Sequence, residues 1–220
     1  MNSCRLVSLI SCIALSITQP INASEAAHQI TGEESLALLM DGNARFTAGE
    51  VIRPHQTPTR RAELAKGQSP VAIILTCSDS RVSPELYFDQ GLGDLFVIRN
   101  AGNILDDHVL GSIEYAVEHL HTPLIIVVGH EKCGAVSAAV AGGHAPGHIA
   151  SIVESIAPAV EAAKDLPGDK VDNSVSANAR RSAQQVCEAQ PFLAEALKGG
   201  KVKVVAARYE LSTGRVVILQ

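Results

Sequence analysis

Hydrophobic residues form several short, uninterrupted runs along the chain. The clearest lie at 71–75 and 124–128, where every residue is apolar. Such runs are typical of strands that a sheet buries on both faces. A third run at 94–99 predicts another strand. The β-rich segments 201–209 and 215–219, which a short turn joins, predict a C-terminal hairpin.

Between these runs, apolar residues recur at the spacing of amphipathic helices. A capping box at Thr31–Glu34 and a closing Gly49 predict an N-terminal helical arm. Its apolar stripe consists of Leu36, Leu39, Met40 and Ala44. Further helices are predicted over 60–66, over a stripe of Ile113, Ala116, Val117 and Leu120, over 135–141, over 149–163 with a break near Pro158, and over 173–189. This alternation predicts an α/β fold: a mainly parallel central sheet flanked by helices, with the N-terminal arm and a C-terminal β-hairpin or added edge strand.

The first 23 residues resemble a secretory signal. Arg5 precedes an apolar run from Leu6 to Ile17, and small residues lead to Ala23. We therefore expect a signal peptide at 1–23, one domain at 24–220, and a periplasmic or secreted protein. The run is shorter than the roughly 20 residues that span a bilayer, so a permanent anchor is disfavoured. Lipoprotein processing at Cys12 remains an alternative.

Composition and charge narrow the function further. The chain is 46% hydrophobic and 19% charged, as expected for one globular domain. Its net charge is −5 and its longest basic run is the pair Arg60 and Arg61, so we expect no nucleic-acid partner. After signal removal we also expect no membrane partner. Cys77, Cys133 and Cys187 would remain, an odd number that argues against a disulfide framework and favours metal ligation.

Metal-binding residues follow two of the predicted strands. Cys77 comes after the strand predicted at 71–75, and His130 and Cys133 come after the strand predicted at 124–128. The carboxyl ends of parallel strands share one edge, so these side chains can converge there. Two thiolates and an imidazole suit Zn²⁺, and three protein ligands leave a position for water, as in catalytic zinc sites.

Asp79 and Arg81 lie close enough to the first cysteine to affect such a site. A carboxylate beside the metal competes with water for it unless a cation holds it. The simpler alternative is a surface ion pair, which contributes little.

Two motifs in the chain resemble the paired signature of β-class carbonic anhydrases. They are Cys77-Ser-Asp-Ser-Arg81 and Gly129-His-Glu-Lys-Cys-Gly134. The similarity extends through Phe-Val-Ile-Arg-Asn-Ala-Gly-Asn at 96–103, Ile-Glu-Tyr-Ala-Val at 113–117 and Val-Asp-Asn at 171–173. It therefore covers nearly all of the chain after the signal.

The resemblance implies a zinc-dependent lyase that reversibly hydrates CO₂ to bicarbonate and a proton by zinc-bound hydroxide. Cys77, His130 and Cys133 would be the zinc ligands. Asp79 would accept a hydrogen bond from the hydroxide, or become a fourth ligand in a closed state. Arg81 would decide between these states by pairing with Asp79.

Family members of the plant-type branch complete the substrate pocket across a subunit interface. By resemblance, Gln56, Phe96 and Tyr115 would line this pocket, and the backbone N–H of Gly134 would help to hold bicarbonate. The resemblance also implies a homodimer or larger homo-oligomer, with the N-terminal arm embracing the partner through its apolar stripe. His55, His108 or buffer would carry the proton to solvent.

One departure from the family pattern excludes a regulatory feature. Members with a second bicarbonate site resemble each other in having Trp three residues before the first cysteine ligand. Here that residue is Ile74, and the chain has no Trp. We therefore expect no such site.

Three other functions compete with this one. A thiol phosphatase would need five residues between Cys and Arg, whereas three separate Cys77 from Arg81. A zinc-holding protein without turnover would need a permanently closed site. Hydrolysis of CS₂ or COS at the same metal site remains open.

Overall fold

The computed structural model describes residues 30–189 and 191–220. Its helices are α1 Gly32–Ala48, α2 Pro58–Leu64, α3 Pro84–Tyr87, α4 Asp107–His119, α5 Gly134–Ala141, α6 Ile149–Ala163, α7 Lys170–Glu188 and α8 Phe192–Lys198. Its strands are β1 Ala72–Cys77, β2 Leu95–Asn100, β3 Leu124–His130, β4 Lys203–Tyr209 and β5 Val216–Leu219, and a 3₁₀ turn covers Ala101–Asn103. The predicted signal peptide lies outside the described residues.

One five-stranded sheet organises the fold, in the order β2-β1-β3-β4-β5. The first four strands are parallel, and β5 pairs with β4 in the antiparallel direction. Every residue of β1 and β3 is buried, as their uninterrupted apolar runs predict. The predicted α/β fold and C-terminal hairpin are confirmed.

Helices cover both faces of the sheet. One apolar core includes Leu39 of α1 and Ile156 of α6, and the other includes Ile113 of α4 and Val186 of α7. These two layers bury the central strands and leave their carboxyl ends at one edge of the molecule.

The N-terminal arm folds onto its own chain. Thr31 and Glu34 form the predicted capping box, and Gly49 ends α1 with a φ of 75°. Leu39 is fully buried, and Leu36 and Met40 pack against the same core. A Cβ atom at Gly42 would lie 1.8 Å from the Phe88 carbonyl oxygen, so α1 approaches the segment after α3 very closely. The expectation that Leu39 is exposed for a partner is therefore wrong. Leu36 and Met40 are half-buried and Ala44 is exposed, so the contact of this arm with a partner stays a prediction.

The predicted break in α6 is also wrong. Pro158 lies inside a helix that continues from Ile149 to Ala163. Proline removes one backbone donor, but the buried Ile156 and Ala159 anchor the helix on both sides of it. In addition, α7 begins before the predicted start because the Asp169 side chain accepts a hydrogen bond from the Asp172 N–H.

No helix within 30–189 or 191–220 combines the length and apolar character that crossing a membrane requires.

Candidate metal centre

Three side chains meet at the carboxyl edge of the sheet. Cys77 ends β1 and His130 ends β3, and these strands are paired neighbours. Cys133 precedes the first turn of α5. All three residues are buried, and their ligand atoms lie within 4.8 Å of one another. The two sulfurs are 4.0 Å apart. The structure thus brings together the three predicted zinc ligands.

The imidazole of His130 is oriented for metal binding. Its Nδ1 lies 2.9 Å from the Glu131 carbonyl oxygen, which can only accept, so Nδ1 carries the proton. Nε2 therefore holds the lone pair. This atom is buried and has no hydrogen-bond partner among the described residues. A buried imidazole nitrogen that faces two sulfurs without a partner fits a metal ion.

Backbone donors surround both sulfurs. The Gly102 N–H donates to Cys77 Sγ at 3.4 Å, and the N–H groups of Ala135 and Val136 point to the Cys133 sulfur at the start of α5. The side-chain hydrogen bond from Cys133 lowers the pKa of Cys77 to about 4, whereas the same contact raises the pKa of Cys133. The pocket therefore stabilises one thiolate, at Cys77, and thiolate is the form that binds metal.

Arg81 holds Asp79 beside the three ligands. Its Nε donates to Asp79 Oδ1 at 2.9 Å and its Nη2 to Oδ2 at 2.7 Å. The Arg81 backbone N–H donates to Oδ1 as well, at 2.9 Å. The side-chain hydrogen bond from Arg81 holds the pKa of the Asp79 carboxyl well below its usual range. Asp79 Oδ2 lies 4.0 Å from His130 Nε2, so the carboxylate faces the site while paired with Arg81.

Arg99, at the end of β2, also supports the site. Its Nε donates to the Cys77 carbonyl oxygen at 3.1 Å and its Nη2 to that of Asp79 at 2.7 Å. Sequence reasoning assigned Arg99 no role. It nevertheless lies at the same sheet edge as Cys77 and His130, and that position could have revealed it.

Comparison with known proteins identifies the family. A family model described as carbonic anhydrase matches residues 72–216, which include all three candidate ligands. The chain belongs to the β-class carbonic anhydrases. Members of this family are lyases.

The relatives span most of the chain. It is 43% identical to carbonic anhydrase 2 of Mycobacterium tuberculosis over 188 residues, which cover 82% of this chain and 89% of that one. It is 42% identical to the carbonic anhydrase of Mycolicibacterium smegmatis over 182 residues, 81% and 88% of the two chains.

Solved β-carbonic anhydrases share the fold. A tetrameric enzyme from Sordaria macrospora superposes with a TM-score of 0.69 at 25% identity, covering 84% of this chain and 96% of its own. The Coccomyxa enzyme, solved with acetazolamide, gives 0.67 at 28% identity, covering 84% and 86%.

The predicted pocket residues of this carbonic anhydrase lie apart from the metal centre of the same chain. Phe96 pairs with Ile73, which lies four residues before Cys77. Four residues of strand separate Phe96 from the level of Cys77 by about 13 Å. The Tyr115 ring, 6.4 Å from that of Phe96, belongs to α4 and is 48% exposed. Gln56 is exposed in the loop between α1 and α2. Gly134, by contrast, directly follows Cys133.

The two histidines considered for proton transfer also lie outside the ligand cluster. His55 Nδ1 is 2.8 Å from Asp94, the residue just before β2 begins. His108 lies in the first turn of α4 and is exposed. Within one chain, neither is placed beside His130.

Proposed function

We propose that this chain reversibly hydrates CO₂ to bicarbonate and a proton at a Zn²⁺ ion held by Cys77, His130 and Cys133. One observation carries the proposal: a ligand nitrogen of His130 lies within 4.8 Å of both cysteine sulfurs, and its buried Nε2 has no hydrogen-bond partner among the described residues. Membership of the carbonic anhydrase family supports the reaction.

The chemistry divides between the ion and the chain. Bound Zn²⁺ lowers the pKa of water to about 7 and so supplies hydroxide at neutral pH. Cys77, His130 and Cys133 would hold the ion and would leave one coordination position for solvent. The Asp79 carboxylate would accept a hydrogen bond from that solvent molecule and orient it towards CO₂.

The pairing of Asp79 supports an open site. Both carboxylate oxygens accept hydrogen bonds from Arg81, and Arg81 Nη2 also donates to the Lys132 carbonyl oxygen at 3.3 Å. Arg81 therefore ties the segment after β1 to the segment after β3. For Asp79 to become a fourth ligand, this network has to break, which disfavours a zinc-holding protein without turnover.

The substrate pocket is proposed to form between two copies of the chain. Phe96 and Tyr115 are too far from the ligands of their own chain to contact CO₂ there, so we assign them, with Gln56, to the metal centre of the partner. The Gly134 N–H, next to Cys133, helps to hold bicarbonate. A homodimer is the smallest assembly that completes both sites.

Stopped-flow CO₂ hydration on protein with measured metal content tests this function. We expect turnover with about one zinc per chain. Zinc without activity above about pH 8, where the bound water is ionised, would support a zinc-holding protein instead. Activity with CS₂ or COS but not CO₂ would reassign the substrate.

We also propose that residues 1–23 direct export and that the enzyme works in the periplasm or outside the cell. The positive start, apolar run and small residues before Ala23 support this location. N-terminal sequencing of protein from the periplasmic fraction should begin at Ser24. An intact N-terminus in the cytoplasmic fraction would contradict export.

A further inference from the structure

The loop after β2 supplies a donor to one of the proposed metal ligands. The Gly102 N–H lies 3.4 Å from Cys77 Sγ in the buried interior. A hydrogen bond to a thiolate withdraws charge from the sulfur, and it is stronger where water is excluded. The position of the Gly102 peptide therefore affects how strongly Cys77 donates to a metal.

The conformation of Gly102 requires glycine. Its φ is 77°, and a Cβ atom there would lie 2.7 Å from Ile156 Cδ1 and 3.1 Å from Ala135 Cβ. Gly102 thus has a strict backbone geometry but no side chain with which to hold it. Other residues must fix the loop.

Helix α7 provides two such contacts. Asn178 Nδ2 donates to the Gly102 carbonyl oxygen at 2.7 Å, and Ser182 Oγ donates to that of Asn103 at 3.0 Å. Both side chains are 2% exposed, and they lie four residues apart, on the same helix face. Burying polar side chains in a helix interface is unfavourable unless each is hydrogen-bonded.

From this geometry we propose that Asn178, supported by Ser182, is a positioning residue for the metal ligand Cys77. The two side chains fix the peptides on the carboxyl side of Gly102, and so hold its N–H against the sulfur. This contact connects α7 to the metal centre through the backbone. The inference rests on the proposed function, since it requires Cys77 to ligate the ion.

Asn178→Asp is the sharpest variant. It keeps the size of the side chain and removes the donor to Gly102. Truncation to alanine would be less informative, because the cavity of about 90 Å³ beside Asn178 and Ser182 could supply a replacement water. Ser182→Ala is a milder second variant.

Asn43→Asp is the matched control. Asn43 is also a buried asparagine, 4% exposed, and its Nδ2 donates to the Tyr87 and Gly214 carbonyl oxygens. Its Oδ1 accepts a hydrogen bond from the Val216 N–H of β5. In the sheet, β3 and β4 lie between β5 and β1, the strand that ends in Cys77. This variant should reduce stability without acting on Cys77.

The test measures two properties of the full mature chain: the thiolate-to-cobalt charge-transfer band of Co²⁺-substituted protein, and the rate at which zinc passes to a chelator. For Asn178→Asp we expect the band at lower energy, because the sulfur loses its donor. We also expect roughly tenfold faster zinc release, because the loop no longer holds Cys77 in its ligating position. Ser182→Ala should change both in the same direction by less. Asn43→Asp should match the wild type.

The outcomes distinguish failure of the positioning role from failure of the metal site. A wild-type band and release rate in Asn178→Asp would overturn the positioning role, as would an equal band shift in Asn43→Asp. If Asn178→Asp does not fold, Ser182→Ala decides by the same two readouts. Absence of a thiolate band in the wild-type cobalt protein would refute the metal site itself.

Discussion

The metal ligands and the expected pocket residues differ in how completely one chain assembles them. The ligand atoms of Cys77, His130 and Cys133 lie within 4.8 Å of one another. Phe96 and Tyr115 instead lie well back from the carboxyl edge of the sheet. The fold of the monomer brings the three candidate ligands together by itself, whereas the proposed pocket would need a second copy of the chain.

The strands that carry the two regions explain this difference. Cys77 and His130 end the central strands β1 and β3, which have neighbours on both sides. Phe96 belongs to β2, an edge strand whose apolar residues 95–98 are half-buried. An apolar edge strand is a surface that proteins normally cover. Self-association through β2 would cover this apolar edge, and the same contact would complete the pocket.

Removing a metal ligand should have the largest effect. In His130→Ala, we expect zinc content to fall and CO₂ hydration to drop to the uncatalysed rate, because the ion supplies the nucleophile. Metal analysis and stopped-flow assays check this on protein whose circular dichroism shows a native fold. Full activity with zinc retained would refute the assignment of His130.

Asp79→Asn should damage turnover without removing the metal. Losing the carboxylate that orients the attacking solvent should lower kcat by about 10²- to 10³-fold, while zinc content stays unchanged. Asp41→Asn changes an exposed carboxylate on α1 and serves as the control. A parallel loss of zinc would instead make Asp79 a ligand.

A substitution of Asp89 tests the loop between α1 and α2, which carries Gln56. Its buried carboxylate accepts hydrogen bonds from Arg45 Nε at 2.7 Å and from the N–H groups of Ile52 and Arg53. Burial alone raises the pKa of Asp89, but these three donors together lower it. Asp89→Asn should reduce the free energy of unfolding by about 2 kcal/mol at neutral pH.

The sign of the pH dependence follows from the lowered pKa of Asp89. Its stabilisation is complete above the unfolded-state pKa of about 3.9 and is lost as the pH falls further. The stability difference between wild type and Asp89→Asn should therefore shrink below about pH 4, as urea unfolding would show. Zinc loss from Asp89→Asn at neutral pH would contradict the separation of the two regions.

The sequence predicted the metal ligands better than the residues that position them. Consecutive apolar residues identified β1 and β3, and the shared edge of parallel strands brought Cys77 to His130. The donor at Gly102 is a backbone group with no side-chain signal. Asn178, which donates to the Gly102 carbonyl oxygen, lies on a helix far away in the sequence. Such contacts depend on tertiary packing that no local pattern specifies.

Helical periodicity also left one part of the packing undetermined. It identified the apolar stripe of α1, but it does not say which surface covers that stripe. Leu39 proved to belong to the core of its own chain. The short helices α3 and α8 were also missed, and the single turn of α3 carries too little periodicity to detect.

Mixing a weakened variant with an inactive one tests the shared pocket directly. Tyr115→Ala should lower kcat/KM about tenfold, which corresponds to about 1.4 kcal/mol, and should retain zinc. Cys133→Ser should be inactive because it lacks a ligand. Co-expressed with Tyr115→Ala, it should give mixed oligomers more active than either parent, since its intact Tyr115 completes the partner's metal site. No recovery in verified mixed oligomers would assign Tyr115 to its own chain or to no site.

Cys187→Ser should have the smallest effect. Unlike Cys77 and Cys133, this cysteine is exposed, near the end of α7, and partial burial with nearby Glu188 raises its pKa. We expect unchanged zinc content and activity, and a stability change within about 0.5 kcal/mol. Metal analysis, stopped-flow assays and thermal unfolding check this. A large loss of activity would mean that a third thiol contributes to the site, and the ligand set would need revision.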